Sequence, residues 1–291
     1  LEVSGTSTTS APLVVAGDFG SGEEIDAKNT QQIGGSLRTG GNWSTSAPVT
    51  VAGDALLTGS LQANNTVAVT GTLQAASIEA PQSSAVQAGT VVQSSAPFQA
   101  RLDCDRRANV VAAAQAVALD PGRPVALAED TLADVDRSTD LTLGCGSYVF
   151  SAIDVNAPLT IHVSSSVVFL VRGSLTIGSP MIVDVAPGAT LDFAVEGDVA
   201  VNNTLTFSGA SDAGAVDFLV GGKLDVASPL QVDGSLVVQG ATEANNTVDV
   251  SGAAFLSDLH VASPVVIHTG GAPGFDGTGC FVTSTATPSD D

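Results

Sequence analysis

The chain has 291 residues, a formal net charge of −21, and only 4% aromatic and 13% charged side chains. That charge argues strongly against a nucleic-acid partner and disfavours adsorption to anionic membranes, both of which are gripped through clustered Lys and Arg, and no run approaches the roughly 18 apolar residues of a membrane helix. With one Trp, one Tyr and one Met the chain cannot fill a wide core, whereas Val, Ala and Leu with 31 Gly suit a thin β structure with tight corners.

The chain opens Leu1-Glu2-Val3-Ser4 without Met and reads as a processed product. Its first ten residues are strand-like, so Leu1 and Val3 are expected to reach a neighbouring subunit. The segment Ser10-Ala11-Pro12-Leu13-Val14-Val15-Ala16-Gly17-Asp18 then recurs as Ser46-Ala47-Pro48-Val49-Thr50-Val51-Ala52-Gly53-Asp54. A repeat of this kind decides the architecture before any local motif. Within it lies a period of six: from Pro48 the chain divides into PVTVAG, DALLTG, SLQANN, TVAVTG and TLQAAS. Second and fourth positions are mostly apolar and the sixth is a turn former, so residues such as Val49 and Val51 share one inward face of a strand. Three hexads, a repeat unit of parallel β-helices, make a triangular coil of about 18 residues. Its corners alternate between Ala-Pro or Ser-Pro and Asn-Asn. Residues 1–98 are the first solenoid block.

Residues 99–147 break the pattern. An Ala-rich run, 110–119, ends at Asp120-Pro121-Gly122 and predicts a short helix, so this segment is expected to be an insertion or cap. Cys104 and Cys145 flank it. If the protein is secreted, a bridge between them is the natural pairing, stabilising by about 4 kcal/mol through loop closure. Three cysteines fix no connectivity, however, and Cys280 could pair between subunits.

Residues 148–282 are the second block, regular again from Pro229 as PLQVDG, SLVVQG, ATEANN, TVDVSG, AAFLSD, LHVASP and VVIHTG. Residues 283–291 form a polar tail. About 12 stacked coils make a rod on the order of 60 Å long.

The φ-x-φ-x-G runs, such as Val67-Ala68-Val69-Thr70-Gly71 and Leu230-Gln231-Val232-Asp233-Gly234, resemble those of bactofilins, polymer-forming bacterial proteins. The resemblance covers about half the chain. It implies a right-handed triangular parallel β-helix and a habit of end-to-end assembly, and it carries over no residue roles. The expected class is thus all-β, a parallel β-solenoid with a short helical insertion.

Asn65, Asn203 and Asn246 read as a ladder of corner residues, since Asn tolerates left-handed turns and bonds locally. Asn42-Trp43-Ser44 and the three Asn-Asn-Thr corners are also formal glycosylation acceptors. His162 and His268 follow Ile in similar strands and should point outward, without the clustering of a metal site. No cofactor is expected, Ca²⁺ between carboxylates being the alternative reading of the acidity. The glycine–aspartate stretch 270–276 occurs only once. Asp103/Asp105 and Asp134/Asp136 are the close acidic pairs near irregular chain, as hydrolysis of a polysaccharide would need. No Ser–His–Asp order, zinc motif or phosphate loop accompanies them, so the chain is not read as an enzyme. The expected function is a structural subunit of an extracellular or cell-surface filament, with itself as partner. A monomeric adhesin or stalk binding surface polysaccharide is the alternative.

Overall fold

The structure, a computed structural model, describes residues 1–81, 85–94, 127–209 and 215–268. Every pairing between strands is parallel, and each strand bonds to the equivalent strand one coil away, giving a solenoid of about 13 turns with three faces. Face I begins with Thr139–Leu143 and Leu159–Val163, face II with Gly146–Phe150 and Val167–Val171, face III with Ile153–Val155 and Leu175–Ile177. Among the described residues there is no helix; the helix expected over 110–119 lies outside them, as do Cys104 and Cys280.

The coils do not stack in chain order. Residues 127–268 form the lower part of the rod, and residues 1–94 continue it upward. Val3 lies over Leu256, Ser7 over Leu259 and Leu13 over Val265, all in the parallel register used elsewhere. The path is that of an uninterrupted solenoid: Ile267 ends a strand on face I, and Glu2 begins the next strand on face II. The top coil is therefore Val86–Gln93, and the segment 95–126 joins it covalently to the bottom coil.

The hexad alternation sets the interior. Val49, Val69, Val238 and Val250 are buried, as are Leu13, Leu37, Leu61, Leu224 and Leu230. An 18-residue coil holds in the first block and again beyond 230, as in the bond from Ser36 N–H to Asp18. Between 139 and 230 the coils lengthen, and the bond from Lys223 N–H to Asp198 spans 25 residues. Faces I and II there carry five-residue strands, and the wider bore is filled by phenylalanines. Phe150, Phe169 and Phe193 stack at 4.7 and 4.5 Å, and Phe218 meets Phe193 edge-on at 5.7 Å.

The corners are tied along the rod axis by side chains. At the corner from face III to face I, the amide of Asn65 donates to Ser46 O and its Oδ1 accepts from Thr66 N–H. Asn29, Asn203 and Asn246 repeat the arrangement. Between them, the hydroxyls of Ser179, Ser228 and Ser263 donate to Asn156 O, Asn202 O and Asn245 O at 2.8–2.9 Å. Each of these Asn amides thus meets the backbone of a Ser-containing corner below it rather than another Asn. At the other corners an acidic or Asn side chain accepts the backbone N–H of the coil above: Asp18 from Ser36, Asn42 from Ser60, Asp54 from Thr72, Asp258 from Thr6.

Candidate functional site

Three surfaces of the rod are unlike the rest. The first is its top end. Val86–Gln93 pairs on one side with Val67–Ala75, and among the described residues nothing pairs with its other edge. Its inward positions are set by register, Val86 over Val67, Ala88 over Val69 and Val91 over Leu73. Leu73 is fully buried, whereas Val91 is 52% exposed. Among the described residues, then, no further coil covers the bore at this end, and the outer edge of Val86–Gln93 has no strand partner. Such an edge is a template for another strand.

The bottom end differs. Residues 129–135 form a partial coil, with Ser151 N–H donating to Glu129 O and Asn156 N–H to Val135 O. Leu132 and Val135 plug the bore and are buried. Thr139–Leu143 and Gly146–Phe150 each have a described strand partner on their upper side only.

The second surface is the outer side of face II. Val149, Leu170, Ala194, Leu219 and Val237 point away from the bore, one per coil, yet all are buried and form a second apolar cluster with half-buried Phe255 at its margin. Asp192 and Asp217 share this outer side and are also buried. No described strand lies over the row. The signal in the sequence is the lost alternation of Val167-Val168-Phe169-Leu170-Val171 and Val216-Asp217-Phe218-Leu219-Val220, a pattern of strands covered on both sides, which the hexad reading passes over.

The third is the junction between the two parts of the chain. Polar side chains are fully buried at it and just above it: Ser7 and Thr9 at the junction, Ser21 and Gln31 one coil higher. Gln31 Nε2 donates to Thr9 Oγ1 at 2.9 Å, while Ser7 Oγ and Gln31 Oε1 have no hydrogen-bond partner among the described residues. Leu1 and Val3, expected as contacts between subunits, sit at this junction within the chain's own stack, Val3 between Leu256 and Ser21.

Other predicted residues fall as follows. Cys145 is disulfide-bonded. His162 and His268 point outward, His162 between Asp140 (3.3 Å) and Asp184 (3.5 Å), and His268 beside Asp249 at 3.0 Å. Asp134 accepts from the Asn156 amide and Asp136 lies 3.6 Å from Arg137, so this acidic pair is turned to neighbouring side chains. Asp103, Asp105 and 270–276 lie outside the described residues. Among the described residues no three His, Cys, Asp or Glu are placed to hold a metal ion.

No family model matches the chain and no curated protein matches it. Among solved structures it is similar to an ice-binding protein from an Antarctic bacterium, Flavobacteriaceae, at 13% identity and a TM-score of 0.29, over 94% of this chain and 81% of that one. With identity and score so low, that protein's ligand says nothing about this chain. The molecule is a parallel β-solenoid, and the resemblance to bactofilins read from the hexads is not matched by a family model or a curated protein.

Proposed function

We propose that the chain is a structural subunit that polymerises head to tail, its solenoids adding end to end into a filament at the cell surface or outside the cell. The observation that carries this reading is the top coil, whose outer edge has no partner among the described residues and where Val91 is 52% exposed above a buried Leu73. Covering Val91 stabilises by about 1–2 kcal/mol, and pairing the strand edge fixes the register of the addition. The end coils suit one another in perimeter: at the top Val67 is followed one coil on by Val86, and at the bottom Thr139 by Leu159. Neither a catalytic role nor a cofactor is assigned.

Negative-stain microscopy of the purified protein at rising concentration tests it. Filaments are expected for the parent chain, and dispersed particles for Val91→Lys at an unchanged melting temperature. Dispersed particles for both at high concentration would sink the proposal. A monomeric stalk or adhesin is favoured by one observation, the polar outer row of face III, where Thr8, Asp26, Ser44 and Gln62 stand one per coil. Their spacing of about 4.8 Å suits a repetitive polysaccharide, and in that case Val91→Lys leaves surface attachment intact.

A further inference from the structure

The order of coils in the rod is 127–268 followed by 1–94, and end-to-end addition of such rods gives an endless alternation of the two parts. That alternation can be threaded in two ways. In the closed threading, each chain stacks its own residues 1–15 on its own residues 254–267, and the contact between chains is the top coil on the bottom coil. In the open threading, residues 254–267 of one chain receive residues 1–15 of a second copy, and the top coil of each chain abuts its own bottom coil. The fibre has the same coils in the same order either way, and only the covalent connections differ.

The geometry points to the open threading as the form in the polymer, so that the junction at 1–15 and 254–267 is an interaction surface whose partner is a second copy of this chain. This rests on the polymer reading above. Four observations carry it. The junction is complementary over all three faces, with Glu2–Val3, Ser7–Thr9 and Leu13–Val15 each in full register with their partners. It has its own corner lock, since Thr6 N–H donates to Asp258 Oδ1 at 3.0 Å and a Cβ on Gly5 would collide with that carboxylate. The same chemistry is therefore offered to a second copy with no rearrangement of either edge, the condition under which exchange of identical elements is easy.

The junction is also a plane of modest apolar contact. Ser7 and Thr9 lie over Leu259 and Val261 inside the bore, and the buried Ser7 Oγ lacks a partner among the described residues; a buried polar atom without a partner weakens a contact. Planes lower in the rod are held instead by stacked phenylalanines. Lastly, the connection permits both threadings. About 30 residues reach at most about 105 Å, enough to return along a rod of about 60 Å, whereas in the open form the same residues need only step from one coil to the next.

The test uses cysteines at an outward pair across the junction. Val14 and Val266 are partners in register and both half-buried. The double variant Val14→Cys with Val266→Cys is prepared unlabelled and uniformly ¹⁵N-labelled, mixed in equal amounts at concentrations that give filaments, oxidised, digested and read by mass spectrometry. If chains are threaded openly, about half of the 14–266 linked peptide carries one labelled and one unlabelled partner, the value for random pairing of copies, and this hybrid disappears on dilution to single particles before oxidation. Filaments whose linked peptide is of one isotope only would overturn open threading and leave end-to-end addition standing. Hybrid peptide in small closed assemblies without filaments would uphold exchange and remove the filament. Single particles with no hybrid would remove both. Thr8→Cys with His260→Cys, partners on face III, repeats the measurement should the first pair fail to fold.

Discussion

Asp54 shows how single residues hold one coil to the next. Its Oδ1 accepts the Thr72 N–H at 2.7 Å, and it occupies the space a Cβ on Gly71 would fill. Gly71, like Gly53 above Ser36 and Gly59 above Asn42, therefore admits a side chain of the coil below, whereas Gly234, Gly240 and Gly252 admit its backbone. Asp54→Ala should cost about 1–2 kcal/mol through the lost charge-assisted bond. Gly71→Ala should cost a similar amount by displacing the same carboxylate. Since both changes break one interaction, the double variant should cost little more than either alone. Thermal or urea melts of the three variants provide the check, and additive losses would refute the shared cause. Asn65→Ala removes two bonds to the backbone and should cost about 1 kcal/mol, whereas Asn64→Ala, at an exposed position, should be silent. These corners were legible in the sequence as turn formers at every sixth position. What each side chain bonds to was not, because its partner lies a full coil away and the coil length varies.

At the scale of strands, the three-residue and five-residue elements differ in what covers them. A three-residue strand such as Val49–Val51 buries its two ends and exposes its middle, and there the hexad alternation foretells burial residue by residue. In Val167–Val171 all five residues are buried, so the rule fails at the outward positions. Leu170→Asp should then destabilise as severely as a change inside the bore, by about 3–5 kcal/mol, because it buries an uncompensated charge. Thr50→Asp, outward and exposed on face I, should fall within about 0.5 kcal/mol. Urea denaturation of the pair decides whether the outer row of face II is structural. Phe193→Ala, which removes the ring that contacts both Phe169 and Phe218, should cost about 3–5 kcal/mol, more than Val51→Ala in the narrower coils.

Over the whole molecule, the sequence spoke clearly about coil chemistry and not at all about coil order. Hexads report what lies inside each turn, and the same Val-rich edge is compatible with any other. Nothing local therefore distinguishes a neighbour in sequence from a distant one, as Thr6 and Asp258 are to each other. The spliced order has a direct check. A rearranged chain in which residue 268 is joined to Leu1 through one or two glycines, with the new ends placed between 94 and 127, follows the solenoid path without interruption and should fold with an unchanged circular dichroism spectrum. Failure of that chain to fold would contradict the stacking of 1–15 on 254–267. Charge acts at the same scale. With a net charge of −21, rods repel one another end to end. Raising salt from about 0.1 M to about 1 M shortens the screening length from about 10 to about 3 Å and should promote assembly, as sedimentation would reveal.

The lengthened coils between 139 and 230 have a consequence for what such a polymer looks like. The perimeter is modest at the bottom coil, where Thr139 lies beside Leu159. It reaches 25 residues where Asp198 meets Lys223, and returns to 18 residues where Asn245 meets Ser263. A fibre of these units would be beaded rather than of even girth, with one swelling per subunit, about every 60 Å. Since the swelling sits nearer the bottom than the top, its lopsided profile in averaged images would mark which way each strand of the fibre points.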